Sequence, residues 1–181
     1  YCLDGHKRSI DSKALICIGS ASGQVCVRDE VTATSYFQAP LGIGYYDVKI
    51  VNRDYIYLVA DNGNITKLFT YGSYTFANST IPGVTDPLVA LQYFSENDIW
   101  IVGFSQNLYR YNGNAWQTLP NPTPNPDLNY GRIWGASYND LFIGQIHAPF
   151  VVTSQSKIYR FAPTPMQIAS GATGKLWDQN Y

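Results

Sequence analysis

Residues 91–103 read Leu-Gln-Tyr-Phe-Ser-Glu-Asn-Asp-Ile-Trp-Ile-Val-Gly, and residues 131–144 read Gly-Arg-Ile-Trp-Gly-Ala-Ser-Tyr-Asn-Asp-Leu-Phe-Ile-Gly. Both set Asn-Asp (Asn97-Asp98, Asn139-Asp140) between two short apolar runs, and both close the second run on a small residue. Asn52-Arg53-Asp54 introduces a third copy over 55–60, and Ala14-Leu-Ile-Cys-Ile-Gly19 gives a fourth. The closing residues Gly19, Ala60, Gly103 and Gly144 are spaced by 41, 43 and 41 positions. A second ladder, Val25, Ile65, Leu108 and Ile158, opens the next strand of each copy. A fixed period of this length means stacked supersecondary units, each too small to bury its own apolar face.

Each copy divides into four short strands. In the third, the pattern predicts strands at 88–95, 98–103, 107–111 and 115–119, with a tight turn at Ser105-Gln106. Asn112-Gly113 reads as a two-residue hairpin turn with positive φ at both positions. Four antiparallel strands repeating about every 42 residues make the blade of a β-propeller. A β-sandwich would also supply evenly spaced hairpins, but it gives no reason for the same residue at the same position in every copy. The fold expected is all-β: a single propeller domain over 1–181, about four blades, with units at 10–41, 42–83, 84–126 and 127–173.

The end of the chain suggests how such a ring closes. Gly174-Lys-Leu-Trp-Asp178 repeats Gly131-Arg-Ile-Trp-Gly135 at a distance of 43 residues. The segment 174–181 is therefore expected as a closing strand, with Lys175–Tyr181 paired to Ala14–Gly19 in place of a poor first strand around Arg8-Ser9-Ile10. Closure of this kind removes exposed sheet edges. Two alternatives stand beside a closed four-bladed ring: a segment of a larger propeller, and several chains sharing one ring.

Asn97-Asp-Ile-Trp-Ile-Val-Gly103, Leu108-Tyr-Arg-Tyr-Asn-Gly113, Trp116 and Ile133-Trp-Gly-Ala-Ser-Tyr-Asn-Asp140 resemble the repeat of propeller proteins secreted by bacteria or anchored in their envelope. That pattern runs Trp-Gly, Ser, Asn-Asp, apolar run, Gly, then an Arg-Tyr-Gly hairpin and a Trp. The likeness is close in the third and fourth units and loose in the first two. It implies a fold and an exported location, and no activity, because the repeated residues are structural.

Composition agrees with an extracellular, periplasmic or cell-surface setting. Of 181 residues, 45% are apolar, 15% aromatic and only 14% charged, with fifteen Tyr. The net charge is −1 and the cations are scattered. A nucleic-acid surface needs them clustered, so that partner is not expected. No apolar run reaches the ~18 residues of a membrane helix. The chain begins at Tyr1 rather than Met, which reads as a processed or excerpted sequence. Three Cys and two His, with no CxxC pair, give no zinc spacing, and no metal or cofactor is expected. Asp61-Asn-Gly-Asn64 lacks the spaced carboxylates of a calcium loop and reads as a hairpin turn.

The candidate sites lie where the repeat is irregular. Gly144 to Lys157 spans 13 residues where Gly103 to Asn107 spans 4, and a Pro-rich link, 119–130, joins units three and four. In a propeller both loops emerge on one face, and loops on a rigid scaffold favour function. His147, Phe150, Asp127, Asn129 and Tyr130 are the expected contact residues. Cys17 and Cys26 flank a turn at Ala21-Ser22. A two-residue turn there sets them directly opposite, where a disulfide is possible if the geometry allows. Trp100, Trp116, Trp134 and Trp177 fall at regular strand positions and are expected in the core between blades. No nucleophile elbow or Cys/His couple is present. These observations favour a non-enzymatic propeller, displayed outside the cytoplasm, that holds a protein partner or serves as a subunit of a larger envelope or surface assembly. A carbohydrate-binding lectin is the first alternative, and a hydrolase or lyase with a central-funnel site the second.

Overall fold

The computed structural model describes residues 2–7, 14–38, 42–70, 74–119, 128–137, 140–147 and 157–161. They form four sheets, each with its strands in chain order. The first holds β1 (Cys2–Lys7), β2 (Ala14–Gly19), β3 (Val25–Asp29) and β4 (Thr34–Gln38). The second holds β5 (Tyr45–Ile50), β6 (Tyr55–Ala60), β7 (Asn64–Phe69) and β8 (Thr75–Thr80). The third holds β9 (Leu88–Ser95), β10 (Asp98–Gly103), β11 (Leu108–Tyr111) and β12 (Trp116–Leu119), matching the expected strands within a residue. The fourth holds β13 (Leu128–Ser137), β14 (Asp140–His147) and β15 (Lys157–Phe161).

The chain divides into two compact units, Tyr1–Leu88 and Val89–Tyr181. In the first unit, Cys17, Val25 and Val27 of the first sheet share a core with Ile56, Leu58 and Leu68 of the second. The rings of Tyr36 and Tyr74 stack 4.3 Å apart beside it. In the second unit, Trp100, Val102 and Leu108 of the third sheet pack with Ile133, Leu141 and Ile143 of the fourth. Burial follows coverage. β6 is buried on nearly every residue and β10 likewise, so both read as continuous apolar runs. β2 alternates buried and half-buried residues, as a strand covered on one face does.

Three expectations are corrected. The edge of β2 assigned to Lys175–Tyr181 is occupied by β1, paired from Cys2↔Gly19 to Lys7↔Ala14, while β3 takes the other edge. A strand has two edges, so no closing strand can add there, and the first sheet begins at residue 2 rather than 10. Residues 174–181 themselves lie outside the described residues, as does any fourth strand of the last sheet.

The β2–β3 turn has three residues rather than two. Gly23 N–H donates to Ser20 O at 3.0 Å, and Gly23 takes φ 82°. This is a type I turn followed by a left-handed glycine, which shifts the register by one. Cys17 therefore faces Val27, and Ile18 faces Cys26. A slip of one residue moves a side chain to the opposite face of the sheet. Cys17 points into the core, Cys26 to the other side, and the cysteines are free.

The β11–β12 turn is likewise longer than expected, because Tyr111 pairs with Trp116. Gly113 alone has positive φ there, and Asn112 Oδ1 accepts the N–H groups of Asn114 and Ala115 at 3.0 Å. The turn at Asn62-Gly63 does have two left-handed residues, φ 55° and 66°.

Candidate functional site

The β13–β14 hairpin gathers three of the five expected contact residues. Leu128 pairs with His147, Asn129 with Ile146 and Tyr130 with Gln145. Asp127 and Phe150 lie outside the described residues. The extra residues of the fourth unit thus lengthen a strand ladder, past a bulge at Tyr130/Arg132, before the chain leaves it. This changes the reading of two side chains. Tyr130 is among the largest fully buried residues and belongs to the core with Trp100, and Asn129 is buried. Their side chains are packed within the unit.

The same end of the second unit holds a buried polar group. Gln145 Nε2 approaches Gln106 Oε1 at 3.5 Å, and Gln145 Oε1 is buried without a hydrogen-bond partner. Gln106 sits in the β10–β11 turn with φ 65°, in the region non-glycine residues seldom visit. On the third sheet, Asp98 Oδ1 accepts from Trp100 Nε1 at 2.9 Å and from Arg110 Nε at 2.8 Å. The Arg110 guanidinium lies 5.1 Å over the Trp100 ring. These interactions hold the third sheet together.

The exposed feature of the unit is the far face of the fourth sheet. Ile133, Leu141 and Ile143 turn inward, so the alternate positions Arg132, Trp134 and Phe142 turn outward. Trp134 is 61% exposed, against its expected place in the core; Trp177 lies outside the described residues. Its ring packs on Phe142, directly opposite in the ladder, with centroids 5.6 Å apart at 35°. Arg132 is exposed beside it, and Arg160 stands opposite Phe142 in the ladder. An exposed Trp resting on a half-exposed Phe beside an exposed Arg is the side-chain set enriched at protein interfaces. Sequence reasoning placed Trp134 by analogy with equivalent strand positions. The signal that finds it is coverage: an outward position is core only if another sheet lies over it.

Burial pushes the Cys17 thiol well above its ordinary value, so it is a buried hydrophobe rather than a nucleophile. Among the described residues, no three His, Cys, Asp or Glu side chains gather as metal ligands would. No helix among the described residues is long and apolar enough to cross a membrane.

No family model and no curated protein sequence matches the chain. Solved structures do. YCF48 bound to a D1 peptide is similar at TM-score 0.65 and 13% identity, over 91% of this chain and 50% of that one. The fold is of β-propeller type. YCF48 from Cyanidioschyzon merolae is matched on its own at TM-score 0.63 and 10% identity, over 89% of this chain and 51% of that one. Virginiamycin B lyase from Staphylococcus aureus is similar at TM-score 0.61 and 14% identity, over 91% of this chain and 56% of the lyase. The chain spans about half the length of these propellers. It also matches the computationally designed Ika4 protein, TM-score 0.57 and 13% identity, over 89% of this chain and 90% of the design. Likeness at such identities carries the fold alone, and it extends both to a peptide-bound protein and to an enzyme.

Proposed function

We propose that this chain is a non-enzymatic propeller that binds protein, displayed outside the cytoplasm as a subunit of an extracellular or cell-envelope assembly. The observation that carries the reading is the outward face of the fourth sheet. Trp134 lies largely in water on Phe142, with Arg132 exposed beside it. Exposed apolar surface of this kind costs free energy in isolation and marks an interaction site. Trp and Arg are also the side chains that most often dominate binding energy. YCF48, a propeller of like fold, is known with a bound peptide, which makes protein binding a natural use of the scaffold. The low charge and Tyr-rich composition favour an exported setting.

The lectin alternative calls for the same open aromatic pocket in every blade. The large exposed aromatic rings among the described residues are Tyr46, Phe69 and Trp134, on a first, a third and a first strand at unrelated heights. That pattern favours one protein-sized patch over a repeated sugar site.

The test places a photo-crosslinking amino acid at position 134, with one at exposed Gln117 of β12 as control, and irradiates the chain with extracellular material from its source. A discrete protein adduct at 134 and not at 117 is expected. The identified partner, purified, should bind at least about thirtyfold more weakly to Trp134→Ala, the effect of losing a Trp anchor of about 2 kcal/mol. A partner that binds the variant unchanged sinks the reading.

A further inference from the structure

We infer that the protein seated on the fourth-sheet face is a second copy of this chain, docked head to tail through its first sheet. The inference rests on the protein-binding reading above and names the partner.

The argument is one of register. Gly19, Val59, Val102 and Gly144 stand opposite Val25, Ile65, Leu108 and Ile158, so these are equivalent positions of the second strand in the four sheets. Two residues earlier stand Cys17, Tyr57, Trp100 and Phe142, all on one side of their sheets. Cys17, Tyr57 and Trp100 are buried; Phe142 is half-exposed.

The residues between them face the other way. Leu58, Ile101 and Ile143 are buried, and so are Ile56, Ile99 and Leu141. Only in the first sheet are the equivalents, Ile16 and Ile18, half-exposed. Leu3, 66% exposed, stands opposite Ile18 and extends that apolar row to the sheet edge.

The structure contains the junction these two faces imply, twice. In the first unit the Cys17 side of one sheet packs on the Ile56 and Leu58 side of the next. In the second, the Trp100 side packs on Leu141 and Ile143. A third junction of the same kind sets the Phe142 side, with Trp134, against Ile16 and Ile18. Among the described residues those two sides carry exposed or half-exposed apolar side chains, and a second copy supplies the missing half of each. They are different surfaces, so the contact is heterologous and repeats identically when copies close on one another.

Light scattering on the size-fractionated 181-residue chain should give a two-copy mass that falls to one on dilution. Trp134→Glu and Leu3→Glu, both at exposed positions, should each lower self-association at least tenfold with unchanged circular dichroism. Mixing the two variants should restore a two-copy species, because each still carries the face the other needs. A one-copy mass at all concentrations overturns the inference, as does dissociation by the Trp134 variant alone, which would mean a symmetric contact. The crosslink at position 134 separates the two proposals: an adduct of twice the chain mass supports this one, and an adduct with a different protein leaves the binding reading standing while overturning self-association. No adduct at all removes both.

Discussion

Asp98 Oδ1 accepts the indole N–H of Trp100 at 2.9 Å, tying the first residue of β10 to the fully buried aromatic two positions on. The same oxygen takes the Nε–H of Arg110 from the neighbouring strand at 2.8 Å. This explains why Asp opens β10: it accepts from donors on the buried side of the sheet. Asp98→Ala should lower unfolding stability by about 1–3 kcal/mol, since Trp100 Nε1 then loses its acceptor inside the protein. Asp98→Asn keeps an acceptor and should cost less. Urea unfolding of both variants measures the difference, and equal losses would mean that the charge on Arg110 matters more than the indole.

Gly19 closes β2 where three neighbours converge. A Cβ there would lie 2.9 Å from Cys2 Sγ, 3.1 Å from Tyr45 Cβ and 3.3 Å from Leu58 Cδ2. The small residue that ends this run in the repeat is thus required by close approach of the second sheet rather than by backbone angle. Gly19→Ala should destabilise the chain by about 1–3 kcal/mol, the usual cost of overpacking a filled core. Gly5→Ala, with nothing within 4 Å of its Cβ position, serves as the comparison and should be near neutral by thermal melting.

These residues also show which parts of the structure are legible in the sequence. The third sheet is, because each of its strands is an apolar run ended by a turn residue, and the repeat fixes its neighbours by analogy. β1 is not. Cys-Leu-Asp-Gly-His-Lys has neither alternation nor β-branched residues, and it becomes a strand through partners far away in sequence. Its backbone pairs with β2, and Asp4 Oδ2 accepts Ile50 N–H at 2.7 Å. The β2–β3 register turned on a single glycine, Gly23, whose positive φ adds a third residue to the turn. The candidate site was hidden for a different reason. Trp134 occupies a regular strand position, and whether that position is core or surface depends on what covers the sheet, which no local pattern encodes.

Acid should loosen the first unit. Arg53 Nη2 donates to Asp29 Oδ1, and Val31 N–H donates to the same carboxylate oxygen at 2.8 Å. Burial alone would raise the Asp29 pKa, but these hydrogen bonds outweigh it and hold it below the ordinary value. A carboxyl depressed in the folded state contributes stability above its unfolded pKa of about 3.9 and loses it as pH falls through the folded value. The chain should therefore lose stability below about pH 4, and Asp29→Asn should flatten that part of the profile. Chemical unfolding from pH 7 downward measures it; parallel acid profiles for the two proteins would assign the loss to other carboxylates.

The cysteines give the sharpest check on register. If Cys17 faced Cys26 across the hairpin, an oxidised sample would yield a peptide linking them. With Cys17 paired to Val27 and Cys26 to Ile18, the two thiols lie on opposite faces of one sheet, where no disulfide geometry can be met without moving the backbone. Digestion of the non-reduced protein should contain no Cys17–Cys26 peptide. Cys17 is fully buried and its thiol pKa is raised by burial, then by the neighbouring Cys2 and Cys26 thiols, so it should resist alkylation in the folded state and react only on unfolding. Half-buried Cys26 should react first in the native protein. A native sample in which Cys17 labels as fast as Cys26 would show that β2 has slipped by one residue, turning Ile16 and Ile18 into the core and withdrawing the apolar face assigned to the second copy.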